Sequence, residues 1–374
     1  MNLEKFILNS VKEKQEFKNS EIKFPLIQKI ENEDLDVFII FVYIGDKDTK
    51  NVLVISPLGG KNIKENLMKN IEGTNIWYKK YISKNDIKFR YYFSINDSLD
   101  NNWCSRIKNR MYDRLNNLKL KFDDETVMSY VVMPKCKNIL YKNENLNNGK
   151  LIKHNIYSNF LKEFRNLVIY NPYEIKDITK ECGVIVFLDG KEHIDLLNAN
   201  LILDKLNSEH KIQPIIGIFV ESNEKSRSRD LRYNSMFEKF IINEAIPFVK
   251  RKYNIIIDPH KNIITGFSLG GMMATYIALR NSDIFRNVIS QSASYHFKVN
   301  TMKKEIRDCN NKLNIYMDVG ILEDRNMMIN PNNKIYSILR KKGFKIKYEM
   351  FKSGHDYLSW GEFLYRGLIF IEAN

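Results

Sequence analysis

The residues best suited to do chemistry lie together in Ile263-Ile-Thr-Gly266-Phe267-Ser268-Leu269-Gly270-Gly271. An apolar run is followed by G-x-S-x-G-G, and the spacing predicts a helix beginning near Met272. A strand-to-helix turn this tight forces its central residue into strained backbone geometry, and glycines two positions before and after leave room for the neighbouring chain. The Ser268 hydroxyl is then exposed above a sheet as a nucleophile. The helix that follows turns its first backbone N–H groups toward the place where an oxyanion develops in acyl transfer, so Leu269 N–H is an expected donor. The same glycines could build a phosphate loop, but no lysine follows them as such a loop requires.

A serine hydroxyl needs a base, and the base needs a carboxylate to orient it. Of the six histidines, His355 is the one that follows both Ser268 and the acid candidates, in Ser353-Gly354-His355-Asp356 just after the last apolar run. The chain order serine, acid, histidine is that of the α/β-hydrolase arrangement. The acid is expected in Gly320-Ile-Leu-Glu323-Asp324-Arg325, with Glu323 preferred and Asp324 the close alternative. Asp318, inside a strand, reads as structural. A second oxyanion donor is expected at the end of Val184-Ile-Val-Phe-Leu-Asp189-Gly190-Lys191, from the backbone of Gly190 or Lys191.

The elements that must hold these residues fall into two patterns. Between about residues 35 and 135, β-rich runs such as Asp36–Tyr43 and Lys88–Ser94 alternate with polar turns, which predicts a small antiparallel sandwich. From about residue 165, compact apolar runs at Leu167–Tyr170, Val184–Leu188, Ile215–Val220, Ile263–Thr265, Leu313–Met317 and Lys345–Met350 alternate with helical periodicity at Met236–Tyr253 and Gly271–Arg280. Near-continuous apolar strands suit a sheet covered on both faces, and alternation with helices makes that sheet mainly parallel. The polar stretch Asn143–Gly149 reads as a linker. The expectation is an α/β-hydrolase catalytic domain over 149–374, preceded by a β-sandwich over 1–148.

Composition narrows the function. Hydrophobic residues at 44% and charged residues at 28% are those of a globular chain with a substantial core. The N-terminus has lysines and acids spread through it with no continuous apolar stretch, so no secretory signal or membrane span is read and a cytoplasmic location is expected. Cys104, Cys136, Cys182 and Cys309 lack CxxC spacing, which fits reduced thiols rather than a metal site. The formal net charge of +14 invites nucleic acid, but the lysines stand singly and no basic run is interleaved with aromatics, so nucleic-acid binding is not expected.

Taken together the motifs resemble the enterochelin esterase family, within the broader esterase D-like branch of α/β-hydrolases. The resemblance rests on Leu188-Asp-Gly190, Arg227-Ser-Arg229-Asp230-Leu231 with Asn234, Glu244-x-x-Pro247, the elbow at Ser268, Ser292-Ala-Ser294 and Gly354-His-Asp356. Upstream, Gly73-Thr-Asn-Ile-Trp77-Tyr78 and Asp113-Arg-Leu-Asn116 are similar to that family's immunoglobulin-like N-terminal domain. The resemblance implies hydrolysis of the esters of a trilactone catecholate siderophore, with no cofactor or metal of the enzyme's own and iron entering only with the substrate. Such a ferric complex is anionic, and Arg227, Arg229 and Lys191 are the expected substrate-binding cations; the arginines could equally make structural pairs with Asp230 or Glu238. Where the family often carries tryptophans after the Ser-x-Ser segment, Tyr295-His296-Phe297 stands here.

Overall fold

The structure is a computed structural model that describes residues 2–16, 21–100, 102–122, 126–136, 149–172, 181–222 and 224–373. The chain divides into two compact units: Met1–Asn138 with Lys352–Asp356, and Ile139–Phe351 with Tyr357–Asn374. Of the stretch Asn143–Gly149, only Gly149 lies within the described residues; the expected boundary between 148 and 149 falls at its end.

The first unit holds two four-stranded sheets. One runs Leu26–Ile30, Glu33–Ile44, Ile76–Lys84, Lys69–Asn70 and the other Val52–Ile55, Lys88–Ile95, Val127–Val132, Lys119–Lys121, with every pairing antiparallel. Phe41 of the first sheet meets Tyr91 of the second edge-on at 4.7 Å, both fully buried. The inner faces are therefore apolar and aromatic, as a sandwich requires. The Tyr91 hydroxyl reaches the buried Asp113 at 2.7 Å, and Asn116 donates to the same hydroxyl at 3.0 Å. This network explains why Asp113 and Asn116 are buried. An N-terminal helix, Leu3–Glu16, packs Ile7 and Val11 against Leu26, Ile40 and Val42 of this unit.

The second unit is built on one sheet whose main strands are β1 (Lys150–Ser158), β2 (Glu163–Asn171), β3 (Glu181–Leu188), β4 (Ile215–Val220), β5 (Ile263–Phe267), β6 (Asn287–Gln291), β7 (Asn314–Gly320) and β8 (Lys345–Phe351), in the spatial order β8-β7-β6-β5-β3-β4-β2-β1. The short strand Ile256–Ile257 pairs beside the start of β3. Strands β3 to β8 pair in parallel, while β1 and β2 form an antiparallel edge. Along β3, Val184, Val186 and Leu188 enter one core and Ile185 and Phe187 the other, so both faces of the sheet are covered. Covering both faces is why the strands read as unbroken apolar runs rather than alternating ones.

Two of these strands carry little apolar signal. β6 contains Asn287, Ser290 and Gln291, each buried because its side chain is hydrogen-bonded: Asn287 to the carbonyls of His260 and Asn262, Ser290 to Gly271 and Tyr295, Gln291 to Asp318 and Trp360. β1 is an edge strand with most of its residues exposed. The order places β3 between β4 and β5, so the chain reverses its direction of travel there. Such a switch point leaves a crevice outside the carboxyl ends of the strands.

Candidate active site

Ser268 follows β5 directly and precedes α3 (Leu269–Arg280), in a numbering where α1 is Gly190–Asp195, α2 is Glu224–Asp230 and α4 is Tyr357–Glu372. The helix thus begins three residues earlier than the expected Met272, because Leu269 is already helical. Ser268 has φ +56° and ψ −121°, a backbone region that a residue with a side chain enters only under strain of about 1–3 kcal/mol. The surrounding structure imposes it. Ser268 N–H donates to Gln291 O at 2.9 Å, and its carbonyl accepts from Ser294 N–H at 3.0 Å. A Cβ on Gly266 would lie 2.5 Å from the Gly270 carbonyl carbon, so the turn closes only with glycine there. The Ser268 hydroxyl lies 3.3 Å from that of Ser294.

Leu269 is the first residue of α3, and its N–H is among those without an intrahelical acceptor. Gly190 is the first residue of α1, and a Cβ there would meet the Phe219 carbonyl carbon at 2.5 Å. Between β3 and Gly190 stands Asp189, fully buried and in the left-handed region at φ +60°. Its carboxylate accepts from Arg227 Nε at 2.8 Å and Nη2 at 2.6 Å. Its carbonyl lies 3.0 Å from Nδ1 of His193, whose fully buried ring sits between Phe187 and Phe267 at 5.1 and 4.9 Å. Burial pushes His193 down to about 4, so the imidazole is neutral over the working range of most proteins.

Glu323 lies in the loop after β7, 6% exposed, and its Oε1 accepts from Gly320 N–H at 2.7 Å and from the Ser292 hydroxyl at 2.6 Å. The Ser292 oxygen in turn accepts from Trp360 Nε1 at 2.9 Å. Trp360 lies almost parallel to Phe267, the residue before Ser268, at 4.6 Å and 10°. Asp324 is turned outward and caps the next helical turn, accepting from Asn326 N–H at 2.9 Å and Met327 N–H at 2.8 Å. Asp318 is fully buried in β7 and bonded to Gln291 and the Ser292 N–H; burial first, and then the charge of Glu323, raise it well above the usual carboxylate range.

The second unit therefore contains Ser268, Leu269, Gly190 and Glu323, while His355 belongs to the Lys352–Asp356 segment grouped with the first unit. Within that grouping the His355 carbonyl accepts from Arg90 Nη2 at 3.0 Å and the Lys352 carbonyl from Lys88 N–H at 3.0 Å. The neighbouring Asp356 is 3% exposed and accepts from Ser353 Oγ at 3.2 Å.

The three expected substrate-binding cations all have carboxylate neighbours. Arg229 donates to Asp230 at 2.9 Å and to Glu163 at 2.8 Å, Lys191 lies 3.3 Å from Asp195, and Arg227 holds Asp189. Arg165 completes the first cluster, reaching Asp230 at 2.6 Å and Glu163 at 2.7 Å. In the Tyr295-His296-Phe297 segment, Tyr295 is fully buried, its hydroxyl bound to Thr275 and Ser290, whereas His296 is exposed. Asp189, His193, Ser292 and Trp360 were not singled out from the sequence as parts of the site. Asp189, Ser292 and Trp360 each bond a partner distant in the chain, and no spacing announces such a pair.

A parallel sheet in this order, with a strained serine between its fifth strand and the next helix, defines an α/β-hydrolase fold. The chain belongs to the family described as putative esterase, whose model matches residues 158–371. It is 26% identical over 226 residues to the uncharacterized protein YjcH of Bacillus subtilis, covering 57% of this chain and 93% of that protein. It is 25% identical over 219 residues to the iron(III) enterobactin esterase of Escherichia coli K12, covering 56% of this chain. The match spans 54% of that relative, about half its length. In fold it is similar to the enterobactin esterase of Shigella flexneri, crystallised in the presence of enterobactin, at TM-score 0.77 and 21% identity over 92% of this chain and 95% of the other. The resemblance to the enterochelin esterase family read from the motifs agrees with these matches.

Proposed function

We propose that this chain is a cytoplasmic serine esterase that hydrolyses the ester bonds of a trilactone catecholate siderophore and so frees its iron. The observation that carries the reading is the positive-φ geometry of Ser268 between β5 and α3, because only a residue held above the sheet edge in this way is both exposed and backed by helix N–H groups. Ser268 Oγ attacks the ester carbonyl while His355 takes its proton, and the tetrahedral oxyanion is held by the N–H groups of Leu269 and Gly190. His355 then protonates the departing alkoxide. Water, deprotonated by the same imidazole, attacks the acyl-enzyme, releasing the carboxylate and restoring Ser268.

Glu323 is proposed as the carboxylate that holds the imidazole tautomer. Its burial and its bonds to Gly320 and Ser292 support this choice, whereas Asp324 is occupied in capping. His355 is proposed as the base on its order in the chain: it follows β8, which pairs in parallel with β7, the strand that precedes Glu323. Arg227, Arg229 and Lys191 supply positive potential for an anionic substrate, with Arg227 also holding the Asp189 turn.

The test is hydrolysis of ferric and iron-free enterobactin and bacillibactin by the purified protein, beside Ser268→Ala, with chromatography of the products. Product formation that vanishes in the variant is the expected result. Cleavage of a nitrophenyl or feruloyl ester with neither trilactone touched would keep the serine esterase and overturn the siderophore as substrate.

A further inference from the structure

At the opposite edge of the same sheet lies a cavity of about 450 Å³, bounded by the N-terminal ends of β3 to β7 and the last turns of α4. Its size falls within the roughly 300–1,000 Å³ of small-molecule sites. Ile263 opens β5 and Phe267 closes it, so with a rise of about 3.3 Å per residue the cavity is at least about 13 Å from Ser268. It is therefore separate from the proposed catalytic crevice.

The chemistry of the walls is two-sided. Ile215, Ile263, Leu368 and Ile371, each 8% exposed or less, supply an apolar floor. Lys261, Arg286 and Lys312 also line it, against one carboxylate, that of Glu372, among the described residues. The two asparagine amides of the lining are already committed: Asn287 donates to the His260 and Asn262 carbonyls and Asn314 to Asn287. The cations are less so. Lys261 has Asp258 only at 3.9 Å, Lys312 spends one donor on the Lys342 carbonyl, and Arg286 makes a single long contact of 3.5 Å to the Lys312 carbonyl. Arg286 Nε is buried with no hydrogen-bond partner. A buried N–H without an acceptor is unfavourable until something supplies one.

We infer that this cavity is a second binding site, for a small amphiphilic anion: a monocarboxylate with an aryl or medium-chain alkyl body. The body displaces water from the isoleucine and leucine floor, and the carboxylate takes the Arg286 and Lys312 donors. An apolar pocket with a few convergent charged groups selects for both parts of such a molecule. A neutral ligand of the same shape leaves the cations unanswered.

Decanoate and its neutral counterpart decan-1-ol provide the test, titrated calorimetrically into the full chain and into an Arg286→Glu/Lys312→Glu variant. Both substituted residues lie outside the proposed catalytic residues, so ester turnover and its KM should be unchanged. The expected result is one saturable decanoate site per chain, weakened at least tenfold by the double charge reversal, with decan-1-ol at least tenfold weaker than decanoate on the unaltered protein. Absence of decanoate binding, or binding of equal strength in the charge-reversed variant, overturns the site. If that variant does not fold, Ile371→Trp, which fills the floor, decides by the same tenfold criterion. Neither result bears on whether Ser268 cleaves esters.

Discussion

Arg227 holds the carboxylate of Asp189 with two parallel hydrogen bonds, 2.8 Å from Nε and 2.6 Å from Nη2, and that carboxylate is wholly buried. The pair fastens α2 to the turn at which β3 ends, directly before Gly190. It also crowds α3, where a Cβ at Gly270 would come within 3.2 Å of Asp189 Oδ2. Because a planar fork cannot be reproduced by an ammonium, Arg227→Lys should lower kcat about tenfold by loosening the turn. Arg227→Ala should additionally cost about 3 kcal/mol of stability by leaving the Asp189 charge buried and unpaired. Steady-state kinetics on an activated ester and thermal melts of both variants check this; a loss of KM alone, with kcat intact, would show contact with substrate rather than support of the turn.

The strain at Ser268 makes a stability prediction independent of substrate. Glycine adopts φ +56° without the steric penalty, though it loses more entropy on folding. Ser268→Gly should therefore be about 1 kcal/mol more stable than Ser268→Ala, with both inactive. Equal melting temperatures would remove the case for stored strain.

Glu323 and Asp324 stand side by side in the chain but do different work in the fold. Glu323→Gln should reduce kcat by about a hundredfold or more by misorienting the base. Asp324→Asn should retain turnover and cost less than about 1 kcal/mol, since asparagine also caps helices. Trp360→Phe keeps a ring against Phe267 but removes the N–H given to Ser292. It should lower kcat about tenfold at unchanged KM, and a pH–rate profile with shifted limbs distinguishes misplaced Glu323 from a general packing loss.

His193 predicts a pH dependence with a definite sign. Its folded value, pushed down by burial to about 4, lies below the unfolded value of about 6.5. The folded chain consequently binds fewer protons than the unfolded one between those values. Stability from this group is complete above pH 6.5 and is lost as the pH falls toward 4, by about 3 kcal/mol at roughly 1.4 kcal/mol per pH unit. Denaturant melts of the parent and His193→Phe across this window should converge as the pH falls, the parent losing more. Parallel curves would mean that burial does not hold the folded imidazole below its unfolded value.

The elbow was legible because a tight strand-to-helix turn makes demands on contiguous residues: an apolar run, a glycine where no Cβ fits, a serine, and glycines again. The apolar strands β3, β4 and β5 were legible for a similar local reason, since a strand covered on both faces is mostly apolar unless its polar side chains find buried partners. β6 was not. Asn287, Ser290 and Gln291 look like a surface segment until the partners that satisfy them are known. The helix start at Leu269 also departed from the expected Met272, because close packing of Gly266 against Gly270 lets the helix begin at once.

The amino-acid sequence alone determined the α/β order, the glycine-flanked turn at Ser268 and the chain order of the residues proposed to work with it, because each is written in neighbouring residues or in succession along the chain. Only the tertiary structure decided that Arg227 serves Asp189, that Trp360 reaches Glu323 through Ser292, and that Asp324 caps a turn. These are choices among several chemically equivalent partners. A guanidinium or indole N–H can bond any carboxylate or hydroxyl within reach, and which one comes within reach is fixed by the strand order and crossovers, not by spacing along the chain.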